Sequence, residues 1–276
     1  MFTFKTTTAL KYVTAVALLA LAACGKKDDA VTPEPEVLKD KYLIKTAVHT
    51  SELPYIDSIT FSYNDKYQLK HIRYSAANDP MYFGSELLTY NDKGRIIFNT
   101  QFGKDDTAPN SYDSIVWDGQ KATYYVRWAS ATTTIPDTSR YEYNSTGLPV
   151  SLRRRYISRE YTYQNGDLVK LTSIDTWNTP NNKSEETYEY DSMPNPFYEM
   201  YLNNPLIDVI SNDTYHKMLP SKHNVTKVTT TSGYEGGTTI SHSEVYVNKY
   251  NATTGLLEEQ SYDVRSSTKF TYIKVP

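Results

Sequence analysis

The segment LLTYNDKGRI, residues Leu87–Ile96, has the form of a strand that leads into a tight turn. Successive side chains of a strand point to opposite faces, so Leu88 and Tyr90 share one face with Glu86, whereas Thr89 lies on the other. The following residues are polar or glycine, as is typical of a turn. The segment therefore predicts the first half of a β-hairpin.

The turn chemistry recurs along the chain. Asn91 can cap the backbone and Gly94 accepts a positive φ, so the turn fits type I followed by a bulge. Residues 144–147 repeat this solution, and Asn165-Gly166 is the strongest two-residue hairpin signal. Residues 64–67 depart from it, because tyrosine disfavours the positive φ that the last position requires. That turn is expected to be either different or strained.

A tyrosine precedes each of these turns, at a nearly constant interval. The positions are Tyr63, Tyr90, Tyr143, Tyr163 and Tyr190, with Trp117 in the place of a tyrosine between the second and third. The steps are 27, 27, 26, 20 and 27 residues, a period typical of repeat architectures. One such hairpin is not stable alone in water, whereas neighbours laid side by side bury a shared face. Tyr-x-Tyr pairs would form a tyrosine ladder across that face.

This repetition predicts an all-β fold. The sheet would contain more than the roughly ten strands at which open sheets curl or split. We therefore expect a curved antiparallel sheet of repeated hairpins, an open or partly closed barrel. One short helical segment is expected near 204–219, since Asn204-Pro205 is a sound helix start. We favour a plug over the sheet for this segment; a partner-binding helix is the alternative.

The N-terminus predicts export and three regions. Lys5 and Lys11 precede an apolar run, Tyr12–Leu21, and small residues follow it before Cys24. The run is about half of the roughly 20 residues that a membrane span needs. Residues 1–23 are therefore expected to be a signal peptide, 24–40 a charged, proline-containing tether, and 41–276 one all-β domain.

Leu21-Ala22-Ala23-Cys24 resembles the lipobox of bacterial lipoproteins. The resemblance implies that Cys24, the single cysteine, is lipidated and attaches the chain to a membrane. Without the lysines of the signal, 27 basic residues face 32 acidic ones, a net charge of −5. This mild acidity argues against nucleic acid as a partner.

Tyr-Asn-Asp-Lys-Gly-Arg-Ile at 90–96 resembles the YD repeats of RHS-type proteins. Residues 190–197 and 221–227 resemble more specifically a group of uncharacterised Bacteroidota lipoproteins with YD-like repeats. The resemblance implies fold and envelope location but no activity. Lys26-Lys27-Asp28-Asp29 resembles the export signal of surface lipoproteins, although an ordinary linker has the same composition. An outer-membrane lipoprotein exposed at the cell surface is expected, with the periplasmic side as the alternative.

No pattern of a catalytic, metal or cofactor site occurs in the sequence. The five histidines lack zinc-ligand spacing, and no phosphate-binding loop or nucleophile elbow is present. Adjacent carboxylates such as Glu185/Glu186 point to opposite faces of a strand and cannot form a dyad by themselves. Arg153, Arg154 and Arg155 with Arg159 form either an anion or acidic-glycan site or a solvated strand. We predict a protein without enzymatic activity or cofactor.

The aromatic residues give the best binding hypothesis. The candidate ligand-contact residues are Trp117, Tyr124, Trp128 and Trp177; packing in the core is the alternative. We expect a binding or scaffold module for a glycan, peptide or protein. A periplasm-facing carrier, with an apolar cavity under residues 204–219, is the second hypothesis. A hydrolase with a site assembled from dispersed residues is the last.

Overall fold

The computed structural model describes residues 41–51, 56–76, 84–103, 107–128, 137–177, 181–202, 204, 219–234, 237–262 and 266–276. All of them belong to one compact unit, residues 38–276. The predicted signal peptide, Cys24 and the tether lie outside the described residues. So does the segment near 204–219, apart from Asn204 and Leu219.

The described residues form strands and one very short helix. The strands are β1 (Tyr42–Thr50), β2 (Ile56–Tyr63), β3 (Leu69–Ala76), β4 (Gly84–Tyr90), β5 (Ile96–Gly103), β6 (Ser111–Asp118), β7 (Lys121–Trp128), β8 (Asp137–Tyr143), β9 (Pro149–Arg154), β10 (Ile157–Gln164), β11 (Asp167–Asp175), β12 (Asn182–Pro194), β13 (His223–Tyr234), β14 (Thr239–Val245), β15 (Val247–Tyr250), β16 (Leu257–Ser261) and β17 (Ser267–Lys274). The helix α1 (Tyr198–Tyr201) lies between β12 and β13.

These strands form one antiparallel sheet that is nearly closed into a barrel. Apart from β14 and β15, strands that follow each other in the chain pair with each other, and β1 pairs with both β2 and β17. β14 and β15 are successive parts of one run interrupted at Tyr246, whose backbone N–H donates to the Thr226 carbonyl at 2.8 Å. The prediction of an all-β, partly closed antiparallel sheet is confirmed.

Hairpin turns are present as predicted at Asn64, Asn91, Asn144 and Asn165. The prediction of a turn after Tyr190 is wrong: β12 shifts register there and continues to Pro194, and residues 191–194 contain no glycine that could take a positive φ.

Gly94 and Gly147 have φ values of +74° and +87°, in the left-handed region that favours glycine. The side-chain oxygen of Asn91 accepts hydrogen bonds from the backbone N–H groups of Lys93 and Arg95, both at 3.0 Å. The register shifts directly before this turn, as expected of a bulged hairpin.

The turn at Asn64 keeps this geometry with an unfavourable residue. The backbone N–H of Tyr67 donates to the Asn64 carbonyl at 2.9 Å, and Tyr67 has a φ of +59°. The equivalent position in the turn at Asn91 is Gly94. Of the two expectations for this turn, the strained one is correct, because the hydrogen bonds around Asn64 hold the backbone in place.

The aromatic residue before a turn ties its hairpin to an earlier part of the sheet. At four positions of the repeat, the polar atom of the ring donates to a backbone carbonyl: Tyr63 to Ile44 (2.7 Å), Tyr90 to Leu69 (2.5 Å), Trp117 to Ile96 (2.7 Å) and Tyr190 to Leu168 (2.6 Å). Tyr272, near the end of the last strand, makes the same kind of contact with Leu257 (2.6 Å). In the last four pairs the acceptor lies just after an earlier turn. The repeated tyrosine therefore stabilises the contact between neighbouring units as well as its own hairpin.

The core lies on the face that these aromatic residues share. It contains aliphatic residues from most strands together with Tyr124, Tyr141, Tyr143, Tyr161 and Tyr188. The segment at α1 packs onto it, since the Phe197 ring meets those of Phe61 and Phe270 edge-on at 6.5 and 5.6 Å. The described helix thus lies just before the segment that was predicted to be helical.

Candidate functional site

The three predicted ligand-contact aromatics whose side chains the structure describes, Trp117, Tyr124 and Trp177, do not form one surface. Tyr124 on β7 is buried, Trp117 on β6 is half-buried, and Trp177 directly after β11 is 69% exposed. The side chain of Trp128 lies outside the described residues; its backbone is opposite Ser111 of β6. Ligand contact by all four residues stays a prediction, and Trp117, Tyr124 and Trp177 have different surroundings.

Trp117 takes the place of a turn tyrosine, as its position in the repeat predicted. Its indole N–H donates to the Ile96 carbonyl, the Arg95 guanidinium lies over its ring at 4.7 Å, and the Tyr143 ring lies 5.3 Å away. A half-open groove of about 810 Å³ adjoins it between neighbouring turns. Arg95 also donates to the Gly119 carbonyl and, at 3.1 Å, to Gln120, so this cation is already used to join two turns.

Tyr124 belongs to a buried polar cluster, which the sequence analysis missed. Its hydroxyl donates to a carboxylate oxygen of Asp113 at 2.5 Å, and Gln101 donates to the same oxygen at 3.2 Å. The Asn99 amide joins Asp113, at 3.4 Å, to Glu86, at 2.9 Å. Tyr74 donates to the other oxygen of Glu86 at 3.1 Å.

Burial determines what this cluster can do. Asp113 and Asn99 are fully buried and Glu86 is 6% exposed, so water and substrates do not reach the carboxylates in this state. Burial raises the pKa of Tyr124 far above its ordinary value, and the Asp113 charge adds to the effect. Tyr124 therefore stays a hydrogen-bond donor at neutral pH. The alternation of β4, β5 and β6 is the signal that predicts inward Glu86, Asn99 and Asp113, but it does not show that they meet.

The described residues also include an exposed aromatic cluster at the end of the sheet opposite the Asn turns. We call Arg155, Tyr156 and Trp177 the loop-end cluster. The rings of Tyr156 and Trp177 meet edge-on with centroids 4.6 Å apart, and the Arg155 guanidinium lies over the Tyr156 ring at 4.8 Å. Its centre is a large apolar ring that remains exposed to water.

The backbone positions the loop-end cluster. Tyr156 lies in the turn between β9 and β10, and its carbonyl accepts the backbone N–H of Thr176 at 2.8 Å. The backbone N–H of Trp177 donates to Asp175 at 2.8 Å. Arg153 adds an exposed cation on the adjoining strand; Glu160 is 3.8 Å away from it. The sequence identified the arginines and Trp177 separately, and the pairing of β9, β10 and β11 brings them together.

Two of the histidines, His223 and His49, contact neighbouring side chains of the sheet. His223 Nδ1 lies 2.7 Å from Asp167, whose other oxygen accepts the His223 backbone N–H. His49 is buried and contacts the Thr268 hydroxyl at 3.2 Å. Among the described residues no group of three or more His, Cys, Asp or Glu side chains could hold a metal ion. The described part also contains no helix long and apolar enough to cross a membrane.

Comparison with known proteins gives a likeness in fold. No family model matches the chain, and no curated protein matches it in sequence. Among solved structures it is similar to a porin-like protein from Bacteroides uniformis, with a TM-score of 0.48 and 12% sequence identity. The match covers 83% of this chain and 96% of the other.

Proposed function

We propose that the protein is a lipid-anchored binding module of the cell envelope, without enzymatic activity, and that its ligand is a glycan that contacts the loop-end cluster. The observation that carries the proposal is the 69% exposure of the Trp177 ring, which Tyr156 holds in place. A fixed, exposed aromatic ring offers a flat apolar surface on which a sugar can stack. Lipidation of Cys24, implied by the lipobox resemblance, would supply the anchor.

The charges around the ring favour an acidic sugar. Arg155 is held over Tyr156, and Arg153 is largely exposed on the neighbouring strand. An arginine guanidinium binds a sugar carboxylate or sulfate through paired hydrogen bonds. The arginine cluster was interpreted either as an anion site or as a solvated strand. We adopt the anion site, because Arg155 and Arg153 lie beside the aromatic surface on which a sugar can stack.

The other hypotheses have less support in the described residues. The Glu86 and Asp113 carboxylates are joined by amides and hydroxyls and are closed to solvent, which does not favour a hydrolase. The core face is filled with side chains, many of them tyrosine, which does not favour a carrier of an apolar ligand. A scaffold or protein partner at the same cluster is the remaining competitor.

The test is binding of the full-length protein to an array of neutral and acidic glycans. Trp177→Ala should weaken binding roughly tenfold or more, as expected for an anchoring aromatic residue. Arg155→Gln should weaken acidic glycans more than neutral ones. The matched control is Tyr125→Ala, which removes a 37% exposed ring from β7. Equal binding by the Trp177 and Tyr125 variants, or no glycan binding at all, would contradict the proposal.

A further inference from the structure

Among the described strands, the nearly closed sheet has a free edge at β14. The described ladder of β14 runs along β13, and no strand of the described part pairs with its other edge. The following strand, β15, is paired with β16 on that side, and this pairing begins with Val247 opposite Ser261. The free edge therefore extends over Thr239–Val245.

This edge is accessible from both faces. Ile240, on one face, is 71% exposed, and Val245, on the other, is 57% exposed. All of its residues are exposed except the half-buried Glu244, which accepts a hydrogen bond from the Tyr246 hydroxyl at 2.6 Å. In an antiparallel strand alternate residues direct both backbone groups to the same side. About half of the residues of β14 therefore direct N–H and C=O away from β13.

Apart from the charge of Glu244, the edge also lacks the features that prevent strand pairing. Natural sheets protect exposed edges with lysine, proline, bulges or very short strands. The sequence of β14, TISHSEV, contains neither lysine nor proline and has three β-branched residues. It presents seven residues without a described shift of register against β13. Such an edge is a template for a further strand.

We propose that the occupant is a second copy of this chain, paired through antiparallel β14 strands with His242 on the two-fold axis. The length of the edge sets this register, since a shift in one direction would bring Thr239 against the position that β16 occupies beside Val247. Seven pairs form, which exchange about six or eight main-chain hydrogen bonds.

The sequence of the edge is symmetric about His242 in this register, except that Ile240 faces Glu244 of the second copy. Thr239 faces Val245 and Ser241 faces Ser243, so β-branched residues and hydroxyls each meet their own kind. Glu244 of the second copy lies diagonally across from His242. A two-fold interface needs one patch that complements itself, and TISHSEV is nearly palindromic about His242. This symmetry favours a second copy over an unrelated extended peptide.

The decisive experiment uses two matched double variants in the full-length protein, held in detergent and examined by sedimentation velocity. Ser241→Lys with Ser243→Lys places two pairs of like charges in contact across the axis. Ser241→Lys with Ser243→Glu places opposite charges there. Both remove the same exposed contacts to Thr231 and Thr229. Dimers are expected for the unmodified chain and the Lys/Glu variant, with association at least roughly tenfold weaker for Lys/Lys.

Three outcomes would overturn the proposal. These are an unmodified chain that stays monomeric at every concentration, equal association of the two variants, and weaker association of Lys/Glu than of Lys/Lys. Thermal unfolding of both variants confirms that they are folded and that the comparison concerns the edge.

Cross-linking tests the axis independently. In full-length protein, His242→Cys should give disulfide-linked dimers on mild oxidation, because residues directly opposite in a ladder lie at disulfide distance. Arg140→Cys is the control, since Arg140 is exposed but has paired strands on both sides. Equal cross-linking of the two variants, or linkage of His242→Cys mainly to a different protein, would overturn the proposal.

Discussion

The indole nitrogen of Trp117 donates a hydrogen bond to the carbonyl of Ile96 at 2.7 Å. The hydroxyl of Tyr90 makes the equivalent contact with the carbonyl of Leu69 at 2.5 Å. The two donors are different groups on different rings, yet each reaches a carbonyl 21 residues earlier in the chain. The repeat therefore requires an aromatic ring with a polar donor at its far end. A ring without a donor would fill the space but leave the carbonyl of the earlier unit without this bond.

Replacing Trp117 tests that requirement. Trp117→Phe should lower the free energy of unfolding by roughly 1–3 kcal/mol, since the partly buried Ile96 carbonyl loses its donor. Trp117→Tyr should recover part of this loss, because tyrosine fills the same role at position 90. Denaturant unfolding measures both, and an unchanged slope would show that the midpoint reports stability. Phenylalanine and tyrosine variants of equal stability would contradict the role of the hydrogen bond.

Tyr67 offers a stabilising substitution. It holds a φ of +59°, so the backbone is strained, and the residue is 43% exposed rather than part of the core. Tyr67→Gly should raise the free energy of unfolding by roughly 0.5–1 kcal/mol, because glycine adopts this conformation without steric cost.

Gly94→Ala is the reciprocal control at the equivalent turn. It should destabilise the protein, since φ is +74° there and the added Cβ would lie 2.9 Å from the Gln68 side chain. Thermal or denaturant unfolding measures both variants. The explanation by strain fails if Tyr67→Gly is destabilising.

The buried cluster around Asp113 predicts a difference between two neighbouring tyrosines. Tyr124→Phe removes the donor at 2.5 Å from the fully buried carboxylate and should cost roughly 1–3 kcal/mol. Tyr125→Phe changes the next residue, which points to the other face and is 37% exposed, and should have little effect. Urea unfolding of the two variants checks this. Similar losses for both would show that the Asp113 contact does not stabilise the fold.

The buried tyrosines predict sensitivity to alkali. Burial raises the pKa of several tyrosines above the ordinary value of 10.0: Tyr63, Tyr90, Tyr124, Tyr188, Tyr190, Tyr246, Tyr250 and Tyr272. A raised pKa means that the folded state retains protons that the unfolded chain releases. The contribution of these tyrosines to the free energy of unfolding is therefore fully present below about pH 10 and is lost as the pH rises further.

Absorbance of tyrosinate against pH measures this effect. The eight buried tyrosines should ionise only together with unfolding. Tyr190→Phe should make the fall of stability with pH less steep, because one raised group is removed. Smooth ionisation of all 26 tyrosines near pH 10 in a folded protein would contradict the prediction.

The sequence by itself determined the strands, the turns and the face that the tyrosines share. These features depend on local chemistry: alternation with period two, asparagine and glycine at fixed turn positions, and an interval near 27 residues. Trp117 could be recognised as a replacement for a turn tyrosine for the same reason. A hairpin and its turn are built from residues close together in the chain, so their pattern is legible in the sequence.

The tertiary structure alone decided which carbonyl each ring reaches, and that Glu86, Asn99 and Asp113 meet inside the sheet. It also brought Tyr156 to Trp177 and, within the described part of the chain, left β14 with a free edge. Each of these relationships joins residues that are roughly ten or more positions apart in the chain. It therefore depends on the register of the strands and on where each strand ends. The polar contacts across the sheet arise when several hairpins pack together, and no local preference specifies them.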